Sequence, residues 1–255
     1  MQAQQLFRSV QESLGFGWSF LIYYALPLHH EALVRMYAPL IRPGDLCFDL
    51  GAHLGDRIYA WSKLRARVIA LEPNPGMMNW LQRWYGKQLN VVLLEQAVSA
   101  QPGVTDLWIS RLMPSVSTIS RPWLTEVQKS RRFGGVRWEE RIPVTVTTLD
   151  ALIARYGKPA FCKIDVEGSE WDVLRGLSQP LPALSFEYLP ATIETALDCI
   201  ARLGQLGEYE YNWRVSEWPW LRSPVWLSSQ EIVAQFRRKS REANSGDVYA
   251  RLNRM

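Results

Sequence analysis

The chain has no apolar run of membrane-spanning length, too few cysteines for a disulfide framework, and neither of the common glycine loops that grip phosphate. Each absence excludes something. The most apolar stretch, Phe16 to Tyr24, falls short of the roughly 20 residues a spanning helix needs, and Pro27 closes it. Only Arg8 supplies positive charge before it and no small-residue cleavage pattern follows, so no secretory signal is expected. Residues 1–43 are expected to form an apolar helical segment packed on the core or over its site, with membrane contact as the minor alternative. Cys47, Cys162 and Cys199 are odd in number and lack C-x-x-C spacing. That argues against disulfides and a zinc-cysteine site and for a reducing, cytoplasmic setting. The patterns G-x-G-x-x-G and G-x-x-x-x-G-K-[ST] are both missing, which disfavours a pyrophosphate or triphosphate ligand. The net charge of +4 is mild and collects at Arg237, Arg238, Lys239 and Arg241. No basic stripe interleaved with aromatics occurs, so no nucleic-acid partner is expected.

What is present begins at Asp49-Leu50-Gly51-Ala52-His53-Leu54-Gly55, directly after the apolar Leu46-Cys47-Phe48. Glu72 lies 21 residues beyond Gly51 and closes a second apolar run, Val68 to Leu71. A strand, a glycine turn and a second strand ending in a carboxylate form the first half of a nucleotide-binding α/β unit. Gly51 permits a sharp turn and a close approach to a ligand. The acidic residue about 20 positions on is where such folds hold a ribose diol. With no pyrophosphate grip, an adenosine ligand such as S-adenosylmethionine fits better than a dinucleotide.

The rest of the chain alternates in the same way. Strands are expected at 46–50, 68–71, 90–94, 160–164, 184–186, 209–213 and 248–252, with helices at 56–67, 77–85, 151–156, 193–203 and 229–238. Alternation of this kind implies a parallel sheet with helices on both faces. Residues 103–147 break it, with short polar–apolar alternations around a basic, glycine-containing middle at 129–135. They read as a β-rich insertion between strands 3 and 4 of a domain spanning 44–255, and as a lid over the acceptor. Five expected strands end in polar groups: Asp49, Glu72, Glu95-Gln96, Asp165 and Glu187. Ligands of open parallel sheets bind beyond such ends. Converging there, the five would form an acceptor-rich site suited to a cationic ligand with hydroxyls. Asp150 is expected to cap the helix after it. Asp165 and Glu167 alone are a weak case for an oxygen-ligated ion, and no metal is expected.

These segments also carry a resemblance. Phe48 to Gly55, Glu72-Pro73-Asn74-Pro75, Gln96-Ala97-Val98-Ser99, Thr148-Leu149-Asp150, Lys163-Ile164-Asp165-Val166-Glu167-Gly168-Ser169-Glu170 with Leu174-Arg175-Gly176, and Phe186-Glu187 resemble the successive motifs of the FkbM-type methyltransferases. The likeness runs from about residue 44 to 190, with Gly246 to Ala250 similar to the family's closing strand. It departs at His53, where the family usually has Asn, and at Ala100, where it usually has Asp.

The resemblance implies a Rossmann-like class I methyltransferase with a seven-stranded, mostly parallel sheet. It implies S-adenosylmethionine as cofactor, S-adenosylhomocysteine as product and hydroxyl methylation of a sugar or natural product. Asp49, Gly51, Ala52, His53 and Gly55 would lie along the methionine part, with Asp49 near its ammonium. Glu72, Pro73 and Asn74 would hold the ribose, and Gln96, Ala97 and Val98 the adenine. Asp165, Glu167 and Glu187 are the candidate catalytic groups. Amine or carboxylate acceptors, a nicotinamide oxidoreductase and a non-enzymatic module with the same fold are the competing readings.

Overall fold

In the computed structural model of the protein, residues 29–129, 133–216, 218, 220–239 and 244–253 are described. The apolar stretch at 16–24 lies outside them, as does part of the basic segment at 129–135. Among the described residues no helix is long and apolar enough to cross a membrane.

In chain order the described elements begin with α1 (His29–Tyr37), β1 (Leu46–Leu50), α2 (Asp56–Lys63), β2 (Arg67–Leu71), α3 (Pro75–Tyr85) and β3 (Val91–Leu94). An insertion follows: β4 (Ala97–Val98), β5 (Gly103–Ile109), α4 (Arg121–Val127) and β6 (Glu140–Thr147). The domain resumes with α5 (Leu149–Tyr156), β7 (Phe161–Ile164), α6 (Glu170–Arg175) and β8 (Ala183–Tyr188). It closes with α7 (Ile193–Leu206), β9 (Tyr209–Trp213), α8 (Ser229–Lys239) and β10 (Gly246–Leu252).

Seven strands form one sheet in the order β3-β2-β1-β7-β8-β10-β9. All are parallel except β10, which runs antiparallel to both its neighbours. Strands of such a sheet are covered on both faces and so read as near-continuous apolar runs, as Val68 to Leu71 does, while Leu46–Leu50 and Phe161–Ile164 each carry one buried charge, Asp49 and Lys163. Helices α1, α2 and α3 pack one face through Leu33, Tyr37, Trp61 and Leu81. Helices α5 to α8 pack the other through Leu152, Leu174, Ile200 and Phe236. Tyr37 of α1 meets Trp61 and Phe161 edge-on, each at 5.4 Å between ring centres.

The strand registers decide where the site lies. Leu94 pairs with Leu71, Leu71 with Leu50, Leu50 with Ile164, and Ile164 with Phe186. These residues form one row across the sheet. The next residue on each strand, Glu95, Glu72, Gly51, Asp165 and Glu187, therefore falls on one edge. Of the expected endings, Glu72, Glu95, Asp165 and Glu187 fall on this edge, while on β1 the position is held by Gly51 and not by Asp49.

The insertion forms its own three-stranded sheet, β4-β6-β5, with β5 and β6 antiparallel. Its small core is Ala97, Leu107, Ile109, Val144 and Val146. Helix α4, which the sequence reading left out, adds a second cluster in which Trp123, Val127 and Phe133 pack on Leu189, just past β8. Pro122 near its start and the Ser120 side chain, accepting from Trp123 N, give it an ordinary N-terminus. The cap of α5 is corrected. Thr148, not Asp150, accepts from Ala151 N at 3.1 Å, while Asp150 accepts from Ser178 N.

Candidate active site

Beyond the row of strand ends lies a cleft of about 280 Å³, near the lower end of the range for small-molecule sites. Its floor begins at the turn after β1. Gly51 adopts φ +78°, and a Cβ there would fall 1.8 Å from the Asp165 carbonyl oxygen. The close approach that demands glycine is therefore to the protein's own backbone at the end of β7. Asp165 N in turn donates to Leu50 O. Gly51, Ala52 and His53 line the cleft, while Gly55 starts α2 and packs against Tyr85.

Glu72 faces the cleft and is 7% exposed. Its two oxygens accept from His53 N and Asn74 N, each at 2.9 Å. Burial lifts its carboxyl to about 7, although these two hydrogen bonds pull the other way. A carboxylate offers about four lone-pair sites, so two acceptor positions are left toward the cleft. That is the capacity a nucleoside diol requires. Pro73 lines the cleft beside it, whereas Asn74 does not: its Oδ1 caps α3 and its Nδ2 donates to Ser117 Oγ. Gln96, Ala97 and Val98 complete this wall.

Asp49 is placed differently from expectation. It is fully buried, does not border the cleft, and lies 3.6 Å from Lys163 Nζ. Lys163, its ion-pair partner, borders the cleft. Burial raises its carboxyl to about 6, against the opposing pull of Lys163. Lys163 also pairs with Asp165 at 3.1 Å and donates to Gly51 O at 3.0 Å. Burial alone would lower the lysine's pKa; its two carboxylate partners outweigh that and hold it above the usual range. Lysine inside an otherwise apolar four-residue strand was the sequence signal for this role, and it was passed over.

At the other end of the cleft Asp165, Glu167 and Glu187 gather, with one oxygen of each within 4.8 Å of the other two. Carboxylates this close disfavour each other's ionisation. Glu187 is held well above the usual carboxylate range by burial, and then by the charges of Glu167, Asp165, Glu170 and Asp247. Glu170, the first residue of α6, is buried: its Oε1 accepts from Val166 N and Gly168 N, both at 3.1 Å. Asp247 is the β10 partner of Glu187 and pairs with Arg214, with Arg57 Nη2 3.9 Å away. The remaining wall comes from the insertion, where Met113, Val116, Ser117, Thr118 and Phe133 border the cleft.

No curated protein sequence matches the chain significantly. Among solved structures it is similar to the precorrin-6Y C5,15-methyltransferase of Geobacter metallireducens, with 13% identity, 88% of this chain and 87% of that one covered, and a TM-score of 0.44. It is similar also to Aeropyrum pernix fibrillarin solved with natively bound S-adenosyl-L-methionine, at 12% identity, 83% and 68% coverage and a TM-score of 0.42. The methyltransferase FkbM domain matches residues 49–194. With more than half of the chain inside that match, the protein belongs to the FkbM methyltransferase family and depends on S-adenosylmethionine.

Proposed function

We propose that the protein methylates a hydroxyl oxygen of a sugar or natural-product acceptor. One observation supports this reading: a partly buried carboxyl, Glu187, lines the same cleft as Glu72. It lies three strand positions from Glu72 in the sheet order, about 14 Å at the usual strand spacing.

Bound S-adenosylmethionine supplies an electrophilic methyl group on a sulfonium. Glu72 accepts from the ribose hydroxyls, the Gly51–His53 turn supports the methionine part, and Gln96 to Val98 flank the adenine. Alignment of the acceptor oxygen accounts for much of the rate, since good positioning contributes about 7–11 kcal/mol in favourable cases. Asp165, fixed by Lys163, orients the acceptor. Glu187 takes the hydroxyl proton, and its neighbour Glu167 sharpens its basicity. A base whose pKa is lifted toward the working pH suits this task. Below its midpoint Glu187 holds its proton and the rate falls, so activity rises with pH through that midpoint. An acceptor carboxylate would meet three like charges here, whereas an amine would be attracted, which makes amine methylation the second reading. The three buried thiols support a reducing, cytoplasmic setting.

The test pairs calorimetry with product analysis. S-Adenosylhomocysteine should bind and NAD should not. Isotopically labelled methyl should appear on alcohols in a panel of matched sugar alcohols and sugar amines. Transfer to the amines alone would replace the hydroxyl reading, and NAD binding without S-adenosylhomocysteine binding would end it.

A further inference from the structure

The insertion is tied to the segments after β2 and after β7 through a single dipeptide. Ser117 Oγ accepts from Asn74 Nδ2 at 3.1 Å and donates to Pro114 O at 2.7 Å. Thr118 donates its hydroxyl to the main-chain oxygen of Glu167 at 2.6 Å, and is 1% exposed. Thr118 is itself well anchored, exchanging backbone hydrogen bonds of 2.8 and 3.0 Å with Trp108 of β5. The donor is held by the insertion's sheet, and the acceptor belongs to the turn after β7.

That turn is conformationally demanding. Glu167 has φ +52° and Gly168 φ +92°. A side-chain-bearing residue in the left-handed region is strained and persists only where its surroundings fix it. Three contacts do so. Glu170 Oε1 accepts from the amides on either side of Glu167. Trp123 packs so closely on Gly168 that a Cβ there would fall 2.2 Å from its ring. The third contact is the Thr118 hydroxyl. Two of the three come from the insertion, and the side chain they aim belongs to the three-carboxylate cluster.

We propose that Thr118 is a positioning residue, which holds the Glu167 carbonyl and so keeps the Glu167 carboxylate against Glu187. Its consequence for methyl transfer rests on Glu187 being the acceptor-side base; the positioning itself does not. Glu187 is faced by Glu167 and Asp165 from the loop after β7, by Glu170 from α6 and by Asp247 from β10. Lys163 pairs with Asp165, and Arg214 and Arg57 neutralise Asp247. Of the neighbouring charges Glu167 weighs most on Glu187. Releasing the turn should remove that charge and let Glu187 ionise at lower pH.

The experiment is a carboxyl 13C NMR titration of the full-length protein, with the Glu187 resonance assigned by Glu187→Gln. Thr118→Val keeps the shape and loses the hydroxyl, and should lower the Glu187 midpoint by about one pH unit, the scale of a single close charge. Thr118→Ser should restore it. Ser117→Ala, which cuts the ties to Asn74 and Pro114 but not the one to Glu167, should leave it at the wild-type value. An unmoved midpoint in Thr118→Val overturns the proposal, as does an equal shift in Ser117→Ala, which would mean general loosening. Should Thr118→Val fail to fold, Thr118→Ala puts the same question with the same two readings. S-Adenosylhomocysteine binding measured on the wild-type sample keeps the inferences apart, since its absence would defeat the cofactor reading and leave the Thr118 tie standing.

Discussion

Glu72 and Glu187 stand in equivalent places, each one step past the same row of the sheet, and both carry carboxyls raised by burial. Their neighbours are opposites. Glu72 accepts from two backbone amides, whereas the charges closest to Glu187 are other carboxylates. A carboxyl held by amides is fixed in place and has acceptor capacity left for donors, which suits binding. A carboxyl pressed by like charges gains affinity for a proton, which suits proton transfer. One sheet edge thus produces two kinds of acid through what surrounds each.

The comparison breaks most visibly at Glu187. We expect Glu187→Gln to slow single-turnover methyl transfer by about 10²–10⁴-fold, the span of a general base, at saturating cofactor and with S-adenosylhomocysteine affinity kept. Near wild-type rates on a true acceptor would move the chemistry elsewhere. Lys163 lies between the two halves. Lys163→Met should lower stability by about 3–5 kcal/mol in urea unfolding, because it leaves buried Asp49 without its cation. Adding Asp49→Asn should recover much of the loss, and no recovery would mean that the pair is not coupled. On the binding side, Glu72→Ala should weaken S-adenosylhomocysteine by about 1.5–3 kcal/mol in calorimetry, with little change in fold. The smallest effect is one of pH. The Glu72 carboxyl is raised from 4.5 to about 7 in the folded chain. The folded state therefore keeps a proton that the unfolded state releases, and the associated stability is lost as pH climbs from about 4.5 through 7. Glu72→Gln stays neutral throughout, so its melting temperature should fall less than wild type between pH 5 and pH 7. Equal falls would show that Glu72 is ionised in the folded protein across that range.

The frame was legible in the chain because strands buried on both faces spell themselves as apolar runs, and their ends as polar punctuation. Val68 to Leu71 needs no partner information. The row that aligns Leu94, Leu71, Leu50, Ile164 and Phe186 brings four of the expected endings, Glu95, Glu72, Asp165 and Glu187, to one edge. The burial of Asp49 against Lys163 is not legible in the chain, because sequence position fixes which edge a residue is near, while the pleat decides whether it faces the cleft. Lys163 escaped notice since its meaning lies in partners at positions 49, 51 and 165. Helix α4 was obscured by tertiary support: a seven-residue helix with Pro122 near its start draws its stability from Trp123 and Val127 packing on Leu189. Gly51 was read as making room for a ligand, and it makes room for the Asp165 carbonyl.

All three thiols of the chain are buried, and burial pushes each well above its ordinary pKa. Thiolate is the reactive form, so maleimides and similar reagents should find almost nothing to attack on the native protein. A single cysteine introduced at exposed Leu112 would then carry a fluorophore or spin label alone, with no need to strip the natural residues first. Because Leu112 borders the cleft, the signal of such a label should change when a ligand enters.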